Sequence, residues 1–185
     1  MVLNECAEFD LAVRLRDEGA ALGDLFAFIS GLYFRGKFAY SSAFAAPPSG
    51  APGSLVITAG RGLLPPETKM SLSDMRALAG VPIDLANPFY RDPLERDARS
   101  MFTTLPPDCE VVLLGSIATS KYLDPLMDIF GERLLFPAEF VGRGDMSRGG
   151  LMLRCARESA ELEYIPAHTA VRRGKRPPKL EKARR

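Results

Sequence analysis

Residues 142–150 (GRGDMSRGG) combine four glycines with two arginines and one aspartate. Glycines let the backbone turn tightly and approach a ligand, and guanidinium groups present forked donors that suit phosphate or carboxylate oxygens. We therefore predict Asp145 and Arg143 as catalytic residues, with the Asp145 carboxylate orienting or activating water. The alternative is a flexible surface turn without a ligand. The segment also supplies four predicted phosphate-binding residues: Gly142, Gly144, Arg148 and Gly149.

Two other segments place small and hydroxyl residues, followed by a cation, directly after apolar runs. Residues 58–62 (TAGRG) add Arg61 to the predicted phosphate-binding residues. Residues 115–122 (GSIATSKY) add three more: Ser116, Thr119 and Lys121. A helix N-terminus attracts an anion because its first backbone N–H groups are unpaired, and a nearby lysine strengthens that attraction. In the alternative interpretation, the hydroxyl groups only cap the helix that follows.

Aromatic and basic residues are interleaved over residues 31–40. Residues 31–38 (GLYFRGKF) nearly match the phosphate loop G-x-x-x-x-G-K-[ST], but the last residue lacks a hydroxyl group and a helical pattern precedes the segment, so we regard the match as accidental. We predict that Tyr33 and Tyr40 stack on a nucleobase, with Arg35 and Lys37 beside them. The alternative places the aromatic rings in the core and both cations in solvent.

Composition and motif content exclude several classes of site. The chain has one histidine, His168, which argues against Ser-His-Asp and Cys-His catalysis. No metal-ligand motif occurs, so we predict neither a metal nor a cofactor. Three widely spaced cysteines suit reduced thiols. No apolar run reaches the roughly 20 residues of a membrane-spanning helix, and the acidic N-terminus is unlike a secretion signal. We therefore expect a cytoplasmic protein with no membrane contact.

Apolar patterns predict the elements that must position these residues. Short apolar runs bounded by glycine or proline indicate buried strands, which we predict at 54–59, 110–115 and 133–137. Alternating apolar residues within 6–18 predict another strand. Apolar residues at three- and four-residue spacing indicate helices, which we predict over 20–33, over 91–105 and over 122–130.

Strands that alternate with helices indicate an α/β domain. We predict one domain, residues 1–170, with three layers: an open, mostly parallel sheet covered by helices on both faces. Open sheets of this kind bind ligands at the carboxyl ends of their strands. The segments that hold the candidate residues, 58–64, 115–122 and 142–150, are therefore expected to converge on one face.

A basic C-terminal tail follows the predicted domain. Residues 171–185 carry eight basic residues and one glutamate, so the tail has a charge of +7 and residues 1–170 a charge of −6. Two adjacent prolines and few apolar residues predict a flexible tail. Such a tail attracts polyanions, above all nucleic acid, or an acidic protein partner. The alternative is a solubilising tail that loosely covers its own acidic domain.

Four motifs occur in a fixed order: Leu32-Tyr33 with Lys37 and Tyr40, LVITAGRGLLP at 55–65, VVLLG at 111–115 with Tyr122 and Leu126, and Phe136-Pro137 with GRG at 142–144. This order resembles uncharacterised bacterial proteins of the YaaA type. Residues 111–115 and the helix after them are also similar to the central segment of the uracil-DNA glycosylase superfamily. The resemblance covers about two thirds of the chain and implies a connection with nucleobase modification.

The residues and the resemblance together predict a nucleotide- or nucleic-acid-handling protein; an enzyme that acts on a nucleobase or its glycosidic bond is one form that it could take, and catalysis itself stays an open question. Two alternatives stay open. One is a non-catalytic module that docks on nucleic acid or an acidic protein through its basic tail. The other is an enzyme for a small anionic substrate, in which the tail has no role.

Overall fold

A computed structural model describes residues 2–172 and 174–178. The described residues form seven α-helices: Asp10–Asp17 (α1), Leu22–Ile29 (α2), Gly31–Phe44 (α3), Leu72–Ala79 (α4), Pro88–Thr104 (α5), Ser120–Phe130 (α6) and Asp145–Glu158 (α7). They also form seven short strands: Ala20–Ala21 (β1), Val56–Thr58 (β2), Gly62–Leu64 (β3), Lys69–Met70 (β4), Val111–Val112 (β5), Leu134–Pro137 (β6) and Tyr164–Pro166 (β7). The fold is therefore mainly helical.

The prediction of a three-layer domain with an open, mostly parallel sheet is wrong. The described strands form two two-stranded sheets, β1-β4 and β2-β3, and one three-stranded sheet in the order β5-β6-β7. Within the described part of the chain only β5 and β6 are parallel, with Val111 opposite Leu134. Strand β7 joins β6 antiparallel, with Ile165 opposite Phe136. The strands predicted at 110–115 and 133–137 therefore do become parallel neighbours, but in a small mixed sheet.

The strand predicted at 54–59 belongs to a hairpin and not to that sheet. Strand β2 pairs antiparallel with β3, with Thr58 opposite Gly62. Gly60 and Gly62 have φ angles of +92° and +67°, which glycine adopts without steric cost. The Thr58 hydroxyl donates to the Gly62 carbonyl at 2.9 Å and closes the turn. Two apolar runs around a short segment with glycines are typical of a hairpin. Residues 54–64 have this pattern, so the prediction that 54–59 joins a parallel sheet is wrong.

The strand predicted within residues 6–18 is also wrong, because Asp10–Asp17 forms helix α1. Ala12 and Leu15 are the buried residues of this helix, and a spacing of three places them on one helix face. Phe9, which extends the alternating pattern, is 39% exposed. A pattern of so few apolar residues fits a strand as well as one face of a short helix, so it does not distinguish the two.

The helices predicted from apolar spacing are confirmed in type. Helices α5 and α6 cover almost all of the predicted ranges but begin earlier, and the helix predicted over 20–33 corresponds to α2 and the first residues of α3. The division falls at Gly31, whose φ of +57° interrupts a regular helix. Among the described residues, no helix has both the length and the apolar character needed to cross a membrane.

Two groups of buried side chains stabilise the fold. The smaller group joins α1, α2 and α4 with β1 and β4, and includes Leu15, Leu25, Met70 and Met75. The larger group joins α5, α6 and α7 with the three-stranded sheet, and includes Leu94, Phe130, Phe136 and Met152. Helix α3 contributes Phe34 to the smaller group and Tyr40 to the larger group. Helix α3 therefore connects the two groups.

Candidate functional site

A cleft of about 1230 Å³ is lined by α3, the segment 45–55, the β2-β3 hairpin, the end of α5, β5, one face of α6 and the first residue of α7. Its volume is somewhat larger than the roughly 300–1,000 Å³ of most small-molecule sites. Apolar and aromatic side chains form most of the lining, including Phe38, Phe44, Leu63 and Tyr122. Such a lining suits a planar organic ligand held by a small number of polar groups.

A close contact between α3 and α7 determines where the polar groups of the cleft lie. A Cβ atom added to Gly36 would lie 2.5 Å from the Gly149 carbonyl oxygen, and one added to Gly149 would lie 2.7 Å from the Leu32 carbonyl oxygen. Because only glycine lets two backbones come this close, both glycines are structural. The contact brings Tyr33 and Lys37, one turn apart on α3, to the start of α7.

Lys37 is the only lysine or arginine among the described residues that line the cleft. Its ammonium group lies 4.1 Å from the centre of the Tyr33 ring, in a cation–π contact. Within the described part of the chain, no hydrogen bond or ion pair involves this ammonium group. Burial lowers the pKa of Lys37 from 10.5 to about 8, Asp145 opposes this change, and Arg148 adds to it. Lys37 can therefore exchange a proton near neutral pH.

Arg148 and Tyr33 lie beside this lysine. Arg148 is 7% exposed, its Nε–H donates to the Phe140 carbonyl at 3.2 Å, and its Nη1 lies 3.9 Å from the Asp145 carboxylate. The Tyr33 hydroxyl is buried without a well-aligned hydrogen bond to any described residue. Burial raises the pKa of Tyr33, and Arg148 opposes that rise. The hydroxyl group therefore stays protonated and can donate to a ligand.

A chain of hydrogen bonds forms another part of the lining. The Leu162 N–H donates to the Tyr40 hydroxyl at 2.8 Å, which lies 2.6 Å from the Tyr164 hydroxyl. The Tyr164 hydroxyl donates to Glu161 at 2.8 Å. Burial raises the pKa values of both tyrosines. These groups satisfy one another, so we assign them a structural role.

Carboxylates outnumber cations in the lining of the cleft. Among the described residues, the lining contains one cation, Lys37, and four acidic residues, Asp108, Glu110, Asp145 and Glu161. A polynucleotide would bring several phosphates close to these carboxylates, and like charges repel. The charge of the cleft therefore favours a nucleoside or a mononucleotide over a nucleic-acid strand.

The structure brings together several residues that the sequence predicts for the site. Tyr33, Ser116 and Asp145 line the cleft, and Arg148 lies behind them. Tyr40 also borders the cleft but is 2% exposed, so its ring offers no face on which a base could stack.

Residues 142–150 do not form the surface turn of the alternative interpretation. Only residues 142–144 precede a helix, and the rest belong to α7. Residues 145–150 form the start of α7, and Gly149 packs against α3 and has no ligand role. Gly144 is the N-cap residue of α7 and has nothing within 4 Å of an added Cβ atom. Gly142, with a φ of +75°, lies against Lys175.

The other predicted residues are engaged elsewhere or point to solvent. Arg61 forms an ion pair with Asp74, and Arg143 donates to the Glu139 carbonyl at 2.9 Å. Thr119 is the N-cap residue of α6 but makes no capping hydrogen bond. Lys121 is exposed. These four residues are absent from the lining of the cleft in the described structure, although each of the three predicted segments contributes another residue to it, such as Leu63, Ser116 and Asp145.

The first part of the basic tail contacts the domain. Arg172 forms an ion pair of 3.0 Å with Asp124, and Arg143 donates to the Pro178 carbonyl at 3.4 Å. The predicted tail also includes five basic residues outside the described residues: Arg173, Lys179, Lys182, Arg184 and Arg185.

Comparisons of the chain with protein-family models, curated proteins and solved structures found no match. From the sequence, Lys37 is predicted beside the base-stacking tyrosines without a catalytic role, and Tyr122 is not assigned to the site. The signal for Lys37 is its spacing of four from Tyr33, which places both side chains on one face of a helix. The signal for Tyr122 is weaker, because a tyrosine in an amphipathic helix is ordinary.

Proposed function

We propose that this protein binds a nucleoside or mononucleotide in the cleft and acts on its glycosidic bond. The observation that carries the proposal is Lys37: an ammonium group without a hydrogen bond or ion pair among the described residues, in an aromatic cleft, with Asp145 in the same lining. A lysine with a pKa near 8 and a nearby carboxylate are a suitable acid and base for reactions at neutral pH.

The roles follow from the chemistry of the bond. Cleavage of the bond between C1′ and the base nitrogen leaves the electron pair on the base, which takes a proton from the Lys37 ammonium group. Water adds to C1′ and gives a proton to the Asp145 carboxylate, which also stabilises positive charge on the sugar. The Tyr33 hydroxyl donates a hydrogen bond to the ligand, and Tyr122 and the apolar lining contact the base.

The resemblance to the YaaA-type proteins and to the uracil-DNA glycosylase superfamily agrees with this proposal. It covers Tyr33, Lys37 and the segment 111–126; of these, Tyr33, Lys37, residues 111–116, Tyr122 and Leu126 line the cleft. An enzyme for another small anionic substrate would use the same lysine. A panel of ligands is therefore needed to distinguish that activity from action on a glycosidic bond.

The test is release of free base from a panel of nucleosides and nucleoside monophosphates, measured by chromatography. We expect Lys37→Met and Asp145→Asn each to lower the rate by about 100-fold or more. Lys121→Met and Asp128→Asn are matched controls, because both residues are exposed and lie outside the lining. The rate should fall above about pH 8, where Lys37 loses its proton. If no panel member releases base or raises the melting temperature, the proposal is wrong.

The charge of residues 171–185 favours a second candidate function, docking on nucleic acid. Four to eight phosphate contacts would give a slope of log affinity against log salt of roughly −3 to −7. Fluorescence anisotropy with labelled oligonucleotides compares the full chain with a variant that lacks residues 171–185. Binding that the variant loses supports docking, and binding with a flat salt dependence contradicts it.

A further inference from the structure

Strand β5 presents an unpaired edge to the cleft. Within the described part of the chain β5 pairs only with β6. The Leu113 N–H donates to the Leu135 carbonyl of β6 at 2.9 Å. Because successive peptide groups of a strand point to opposite sides, the backbone groups of Val112 and Leu114 point away from β6. Both residues line the cleft, so their N–H and C=O groups are available to a further strand.

The surroundings of this edge suit an extended peptide. Ile57 and Leu63 of the hairpin and Met101 of α5 contribute apolar surface to the same cleft, and all three are only partly buried. An added strand places alternate side chains on opposite faces, so apolar residues at alternate positions would contact this surface. We call the edge of β5 with these three side chains the β5 groove.

The charges beside the β5 groove indicate which peptide fits. Asp108 and Glu110 directly precede β5, line the cleft and are exposed. Neither carboxylate takes part in an ion pair with another described residue, and the one guanidinium bound to this segment, that of Arg133, donates to the Cys109 and Pro106 carbonyls. A peptide with lysine or arginine near the Asp108 end would therefore be attracted, whereas an acidic peptide or a nucleic acid would be repelled.

We infer that the β5 groove binds an extended, basic segment of a partner protein as an added strand. Main-chain hydrogen bonds to Val112 and Leu114 supply affinity, alternate apolar residues of the partner contact the hairpin, and its cations face Asp108 and Glu110. This binding site lies in the same cleft as Lys37 but uses other residues of the lining, and it does not depend on a glycosidic activity.

The test selects short random peptides, displayed on phage, against the immobilised full chain, and measures the affinity of synthetic copies by fluorescence anisotropy. The selected peptides should alternate apolar residues and carry lysine or arginine. Methylation of alternate backbone nitrogens removes the strand-pairing donors. Loss of about two hydrogen bonds corresponds to roughly 30-fold weaker binding.

The matched protein variants separate strand addition from general attraction. Asp108→Asn with Glu110→Gln should weaken binding about fivefold, as two exposed charges contribute. Asp128→Asn with Glu163→Gln removes the same charge from exposed residues outside the cleft lining and should leave the affinity unchanged. The inference is overturned if no peptide is enriched or if backbone methylation has no effect. It is also overturned if both double variants change the peptide affinity to the same extent, or if an oligonucleotide displaces the selected peptides.

Discussion

Replacement of Lys37 by methionine is expected to stabilise the protein at neutral pH. Burial lowers the pKa of Lys37 from 10.5 to about 8, so the protonated form is less favourable in the folded protein than in the unfolded chain. One pKa unit corresponds to about 1.4 kcal/mol, which gives an upper limit of about 3 kcal/mol. Methionine keeps the apolar stem without the charge, and since Lys37 is only half-buried, we expect a gain of about 1 to 3 kcal/mol.

The pH dependence of this gain identifies its cause. Between pH 8 and pH 10.5, the limits set by the two pKa values of Lys37, the unfolded chain binds more protons than the folded protein. The free energy of unfolding of the wild type therefore rises with pH in this window. The cost of burying the charge is complete below about pH 8 and disappears as the pH passes 10.5. The advantage of the methionine variant must shrink accordingly.

Urea unfolding followed by circular dichroism measures the difference at about pH 7 and about pH 10. Lys121→Met is the matched control, because Lys121 is exposed and its replacement should change the free energy of unfolding by less than about 0.5 kcal/mol. The reasoning about burial is refuted if Lys37→Met destabilises the protein at neutral pH, or if its gain is the same at both pH values.

Three further substitutions test the contacts that build the fold, each by urea unfolding. Gly149→Ala should lower the free energy of unfolding by about 2 kcal/mol, because its Cβ would collide with the α3 backbone. In the control Gly144→Ala, the added Cβ has no atom within 4 Å, so the free energy of unfolding should fall by less than about 1 kcal/mol. Tyr40→Phe removes the acceptor of the Leu162 N–H and should cost about 1 to 3 kcal/mol; an unchanged stability would show that water replaces it. Gly62→Ala combines a positive φ with a collision against α5 and should cost about 3 kcal/mol; a cost below that of Gly144→Ala would contradict this account.

Local sequence patterns predict the elements better than they predict the site. Helices α5 and α6 have apolar residues on one face over three or more turns, and that pattern depends only on neighbouring residues. The strand at 54–59 is predicted in position but not in pairing, because a short apolar run is compatible with a hairpin or a parallel sheet. Strand pairing depends on distant residues, which the run does not contain.

The candidate site is predicted only in part because its geometry depends on contacts between distant parts of the chain. Asp145 and Tyr33 are found from residue type, but the glycines that bring α3 against α7 carry no signal that tells helix contact from a phosphate-binding turn. Arg61 and Arg143 have suitable side chains, yet one pairs with a carboxylate and the other with backbone carbonyls. Whether an arginine is free for a ligand depends on the folded structure.

The contact between Gly36 and Gly149 also has a consequence for the order of folding. The two glycines lie 113 positions apart in the sequence (149 − 36), and closing so long a loop costs entropy that must be recovered from contacts made afterwards. Helix α3 can form locally soon after its residues leave the ribosome, but Lys37 meets Asp145 only when α7 has been synthesised and has docked. The proposed site is therefore complete only after α7 has been synthesised, and a chain that stops before α7 lacks the residues that α7 contributes to it.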